Sequence, residues 1–342
     1  MSYEPRADLM TPRERVSLTL QRREPDRVPM GELVLDPQLI AQVLEEPTGD
    51  PWEQTRRFTA SLGLDLVVCG LDEPPHYPFA LPPASCGDIQ ELLDRGELPS
   101  TEGGALSQVR RWSQQTELFV FALVGGGLGP LCALMGFGQA LMACVSSSRE
   151  ARALVRRLAG QNAVLARRAV GAGAQAVIIG DDLAYNDGTF LSPAQLREVV
   201  FPGIEEEVGQ IGEMGVPVFF HSDGRLHAIL DDLVALGIHG LHSLQPSAGM
   251  EIGAIKRKYG DRLCLMGNLD LHLLSSSATR EEVERTVRET LRVAAPGGGY
   301  IFGTSGGLGP GLDPRNVRTM YRAALRFGRY PRSQGSGHPG LP

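Results

Sequence analysis

Short apolar runs recur along this chain, and most stop in the same way, at polar residues followed by glycine or by helical sequence. Eight can be marked, at residues 28–33, 64–69, 118–123, 176–180, 216–220, 240–244, 263–266 and 300–302. They are apolar without strict alternation, as parallel strands buried on both faces are. Helical sequence lies between most of them. Residues 148–170 gather Leu154, Leu158, Val164 and Leu165 on one side. Residues 192–214 carry Pro193 in the first turn and stop at Gly215; residues 225–236 stop at Gly237; residues 279–294 open T-R-E-E. The chain itself begins with a capping box, Thr11-Pro12-Arg13-Glu14, and a helix ending near Arg22. From the fourth run onward, starts near 176, 216, 240, 263 and 300 give strand–helix units of about 25 to 40 residues. Eight such units make an α/β protein with a single (β/α)8 TIM barrel over residues 1–330.

The rival architecture is a doubly wound open sheet, which needs a glycine-rich phosphate turn after an early strand. Gly125-Gly126-Gly127-Leu128-Gly129 follows a strand, but Pro130 comes next and no acidic ribose partner is evident. Residues 70–111 interrupt the repeat. They are rich in proline, and read as a loop or lid over the barrel mouth with a short helix near 88–93. Residues 331–342 read as a disordered tail.

A hydrophobic fraction of 42% with 21% charged residues fits a soluble globular chain. The net charge of −7 comes with interspersed signs and no basic cluster, which argues against nucleic acid and against an anionic membrane. No apolar run reaches the roughly eighteen residues of a membrane span. The first residues hold no apolar signal core, so a cytoplasmic protein is expected. Cys69, Cys86, Cys132, Cys144 and Cys264 form no C-x-x-C pair, as expected of buried thiols in a reducing compartment.

In a (β/α)8 barrel the chemistry sits at the carboxyl ends of the strands. Those positions hold Glu32, Cys69, the adjacent Asp181 and Asp182 with Tyr185 beyond, and His221 and Asp223 after V-P-V-F-F. Further along come His242, Ser243 and Gln245, then Asn268 and Asp270, then Thr304 and Ser305. A polar residue at a strand end often caps the next helix, and for Asp270 and Ser243 that is the stronger reading. Asp181 and Asp182 exceed what one cap needs, and no cap or core role calls for His221. His221 with Glu32, Asp182 or Cys69 could converge on a zinc ion, although no H-E-x-x-H or C-x-x-C occurs. No G-x-S-x-G elbow supports a serine nucleophile.

T-P-R-E-R-V at Thr11, R-R-E-P-D-R-V-P at Arg22, G-D-D-L-A-Y-N-D-G at Gly180 and S-P-A-Q-L-R-E at Ser192 occur in that order. V-F-F-H-S-D-G, L-Q-P, M-G-N-L-D and A-P-G-G-G-Y-I-F-G follow. Together they resemble the uroporphyrinogen decarboxylase superfamily over roughly residues 10 to 330, which implies a (β/α)8 barrel. True decarboxylases of that superfamily act without a cofactor on a tetrapyrrole with acidic side chains. They carry early arginines, where this chain reads M-G-E-L-V-L-D, and a late Gly-His-Gly, where it reads T-S-G-G-L-G. Both departures move the resemblance toward the corrinoid-dependent methyltransferase branch, whose zinc members use His-x-Cys and a late Cys. Here His221 matches the histidine, Asp223 stands in place of the cysteine, and the late cysteine has no counterpart.

The resemblance thus implies methyl transfer between a small O- or N-methyl substrate and a corrinoid held by a partner protein. In that reading His221, Asp182 and Asp223 are catalytic, and His221, Glu32 and Asp182 hold any zinc. Glu32, Asp181, Tyr185, Gln245, Asn268 and Ser305 contact substrate. Alternatives are a decarboxylase with no cofactor, in which Asp182 stabilises charge on a pyrrole, and a non-catalytic tetrapyrrole- or corrinoid-binding barrel. A homodimer is also open to such a chain.

Overall fold

The computed structural model describes residues 8–45, 50–71, 89, 93 and 104–331. Most of the 70–111 excursion with its short helix, and the tail beyond 331, lie outside the described residues. Seven parallel strands form one curled sheet in the order Leu66–Gly70, Phe119–Gly125, Ala176–Gly180, Val218–Ser222, Gly240–Ser243, Cys264–Leu269 and Tyr300–Thr304. Helices connect them, the longest being Ser148–Ala172.

The eighth expected strand, residues 28–33, is corrected to a single bridge between Met30 and Phe302. Pro29 has no N–H to offer a ladder. The segment still reaches both edges of the sheet. Gly31 N–H donates to Phe302 O at 3.0 Å, and Asp65 N–H donates to Met30 O at 2.7 Å.

Side-chain alternation along the strands sorts the interior into two cores. Leu66, Phe121, Ile178, Phe219, Met266 and Ile301 meet inside the curl. Val67, Val120, Val177, Phe220, Leu265 and Phe302 face outward against the helices. This alternation decides where each strand-end residue points.

Opposite the carboxyl ends, the helix Pro12–Leu20 sends Val16 into the inner core. The predicted capping box of Thr11 and Glu14 is present. Arg15 and Arg27 both pair with the fully buried Asp65, at 2.6 Å each, and Asp26 holds Arg15 at 2.7 Å. The charges are compensated where water is absent.

Two expected helices differ from prediction. The 192–214 helix contains a π turn at Leu196–Val200, just before Pro202, which has no N–H for the regular ladder. The 225–236 helix is reduced to Leu230–Ala235. The amides of Gly224 and Arg225 are taken by Gln245 Oε1 and Tyr185 O, which hold this stretch in a turn. No single helix among the described residues is long and apolar enough to cross a membrane.

Candidate active site

The strand Val218–Ser222 is paired with Ala176–Gly180 on one side and Gly240–Ser243 on the other. Phe219 and Ile178 face the inner core, so His221, Asp223 and Asp182 follow on the same face. One ligand atom from each of Asp182, His221 and Asp223 lies within 4.8 Å of the other two. His221 Nε2 stands 3.8 Å from Asp182 Oδ1. Both residues are buried, at 7% and 8% exposure, where any charge is weakly screened.

Neighbouring groups fix the directions of the two carboxylates. Asp223 N–H donates to Asp182 Oδ1 at 2.8 Å, and Ser243 Oγ donates to Asp223 Oδ1 at 2.5 Å. Ser243 and Leu244 both have positive φ, 86° and 53°, a strained pair that turns the strand end toward Asp223. Ser243 was expected to act as a cap; its hydroxyl instead braces a site carboxylate.

The structure revises several assignments. Asp181 points outward and spends both oxygens on the amides of Gly127, Leu128 and Gly129, at 2.8, 2.9 and 2.5 Å. It closes the amino end of the helix Leu128–Met135 and lies on the opposite face of the sheet from Asp182. The glycine-rich run is thus an anion cradle filled from within the chain. A Cβ at Gly126 would lie 2.6 Å from that of Asp181, so only glycine admits the carboxylate.

Glu32 also points outward, because its neighbour Gly31 faces Leu66 of the inner core. Its carboxylate accepts from Thr304 N–H at 3.0 Å, from Thr304 Oγ1 at 2.5 Å and from the Tyr321 hydroxyl. Burial pushes its carboxyl up to about 7 against the pull of these donors. It is not part of the Asp182 cluster, and Asp223 takes the place expected for it. Cys69 lies in the outer core, where burial pushes its thiol up to about 12, far from a ligating thiolate.

Gln245 Oε1 accepts from Gly224 N–H at 2.9 Å and its Nε2 donates to Ser247 at 2.9 Å, bracing the turn beside Asp223. Asn268 donates to Leu244 O at 2.9 Å. Buried Ser305 ties its amide to Leu269 O. Asp270 caps the turn Leu271–Leu274 through its side chain, as expected for a strand-end carboxylate. Tyr185 is 49% exposed and stacks on Phe190, whose ring meets Phe137 edge-on.

One participant escaped the site prediction. His242 is fully buried, and its Nδ1 lies 2.7 Å from His221 Nδ1. Burial, then the neighbouring His221, hold its ring well below the usual histidine range. The signal was its place at the end of the next apolar run, where the register puts it beside His221.

The uroporphyrinogen decarboxylase (URO-D) family matches residues 70–327, more than half of the chain. The chain belongs to the URO-D family. Among curated relatives of this family member, the uroporphyrinogen decarboxylase of Thioalkalivibrio sulfidiphilus is 29% identical over 155 residues, 44% of this chain and 41% of that protein. That of Chlorobaculum tepidum is 25% identical over 237 residues, 68% of this chain and 60% of the relative. The matched part thus spans about half the length of these relatives. In three dimensions this URO-D family member is similar to a methyltransferase from Methanosarcina mazei. The TM-score is 0.71 at 16% identity, covering 93% of this chain and 99% of the other. The two share a fold.

Proposed function

We propose that this URO-D family member is a methyltransferase that moves a methyl group from a small O- or N-methyl substrate to a corrinoid presented by a partner protein. The observation that carries this reading is the Asp182–His221–Asp223 cluster inside the carboxyl end of the sheet. With residues 28–33 spanning the sheet edges, we read the sheet as a closed (β/α)8 barrel and the cluster as lying in its mouth.

One imidazole and two carboxylates form an N,O donor set suited to a zinc-type divalent ion, and Asp182, His221 and Asp223 would hold it. When bound, such an ion supplies a Lewis acid for the oxygen or nitrogen that loses its methyl group. The chain's own part is to fix both carboxylates before substrate arrives, through Ser243 and the Asp223 amide. The half-exposed Tyr185 ring offers flat apolar contact at the rim.

A second reading draws on the curated relatives, which are named uroporphyrinogen decarboxylases. There Asp182 would stabilise positive charge on a pyrrole with no metal. Purified protein given cob(I)alamin and a panel of methyl ethers and methylamines separates the two. Methylcobalamin formation that depends on Asp182 and His221 is the expected result. Chelator-insensitive CO2 release from uroporphyrinogen, with no methyl transfer, overturns it.

A further inference from the structure

We propose that the cavity between the helices Ile252–Tyr259 and Arg280–Ala294 binds a small zwitterion with an apolar body, the chemistry of a hydrophobic amino acid. The site is separate from the Asp182 cluster, none of whose members lines it.

The cavity measures about 550 Å3, within the usual range of small-molecule sites. Its floor is made by Met250, Ile252 and Leu269 of the outer core, and Leu273 and Val293 pack beside them. The space exists because the facing stripes of the two helices carry short side chains. Gly253 and Ala254 line it from one helix, and Thr286 and Thr290, a turn apart, line it from the other. The fold does not demand glycine at 253. A Cβ there would meet Arg257 Nη1 and Val293 Cβ at 3.5 Å each, which are ordinary contact distances. A side chain at 253 is admissible, and its absence leaves the floor open.

Charge defines the occupant. Glu251 and Arg257 stand on one wall and Glu289 and Arg292 on the other, all four exposed. Among the described residues, none of these four side chains is hydrogen-bonded or ion-paired. Two cations and two anions thus border one apolar floor with their bonding capacity unspent. Asp270, the remaining charged lining residue, is engaged with the amides of Ser247 and His272. A lone anion is attracted by the arginines but repelled by the glutamates, and a lone cation meets the reverse. A molecule carrying both signs is attracted at both ends, through charge-assisted bonds of the stronger kind. Its apolar body covers Met250, Ile252 and Leu269.

Titration of metal-free wild-type protein with L-phenylalanine, phenylacetate and phenethylamine, followed by ligand-observed NMR, tests this without corrinoid or methyl donor. L-Phenylalanine carries both charges on one apolar body, and each of the others carries one. It is expected to bind at least about 10-fold more tightly than either. Arg257→Ala and Glu289→Ala are each expected to weaken it roughly 10-fold. Folded Gly253→Leu, whose side chain enters the space above the floor, is expected to abolish binding. If Gly253→Leu does not fold, Thr290→Leu fills the cavity from the other helix. Failure of the wild type to bind L-phenylalanine overturns the proposal. So does equal affinity for the three probes, or unchanged affinity in a folded cavity-filling variant. A crystal structure that places bound L-phenylalanine at the Asp182 cluster overturns it as well. None of these outcomes bears on methyl transfer, which the methylcobalamin assay decides separately.

Discussion

Asp181 and Asp182 are one residue apart and serve opposite sides of the sheet. Outward Asp181 anchors a helix, and inward Asp182 joins His221 and Asp223. If the proposed site holds Zn2+, replacing Asp182 with Asn, or His221 with Ala, is expected to lower Zn2+ affinity and methyl transfer at least about 100-fold, since each would remove a ligand. Chelator-competition titration and methylcobalamin assays check this. Glu32 makes a separate prediction. Its carboxyl lies at about 7, raised by burial from an ordinary value of 4.5. The favourable neutral form is complete below about pH 4.5, and stability falls as pH rises through about 7. The cost on full ionisation is of order 3 kcal/mol. Glu32→Gln cannot ionise, so its melting temperature relative to wild type should rise between pH 5 and pH 8. A difference that stays constant across that range would mean that Thr304 and Tyr321 accept the charged form at no cost.

The sheet and the helix connections define the roles of whole elements. The inner helix Pro12–Leu20 and the segment behind it meet at Asp65. Asp65→Ala would leave Arg15 and Arg27 buried without their shared counter-ion. A loss of roughly 3–5 kcal/mol is expected in denaturant unfolding. Asp181→Ala would strip three amides at the amino end of the helix Leu128–Met135 of their acceptor, at a cost of roughly 2–3 kcal/mol. Such roles were only partly legible in the sequence. Apolar runs marked seven strands, because burial on both faces needs continuous apolar sequence. The same pattern overstated residues 28–33, where Pro29 interrupts the ladder. It also lengthened the helix after Gly224, because amide partners at Tyr185 and Gln245 come from distant sequence. Strand-end reading named Asp182, His221 and Asp223, which the fold brings together, but could not say which way Asp181 and Glu32 point. That needs the exact phase of alternation, and a shift of one residue reverses it. His242 was visible at its strand end, but its value lies in a cross-strand neighbour 21 positions away.

At the scale of the whole molecule, a metal bound at the proposed site would couple binding to global stability. Zn2+ at about 100 times its dissociation constant should raise unfolding stability by about 2.7 kcal/mol, and a chelator should reverse it. Thermal melts with and without the metal test this; no shift in wild type would remove the metal from the mechanism. The Asp181–Asp182 doublet also constrains how this gene can change length. One inserted or deleted residue at the doublet would exchange the destinations of the two carboxylates, sending the helix anchor into the mouth and the site group into the helix layer. Length changes tolerated in descendants should therefore fall before Ala176 or beyond the short hairpin at Ala184–Tyr185 and Gly188–Thr189. A scanning library of single-residue insertions, sorted for folded protein, should show a gap between those two limits.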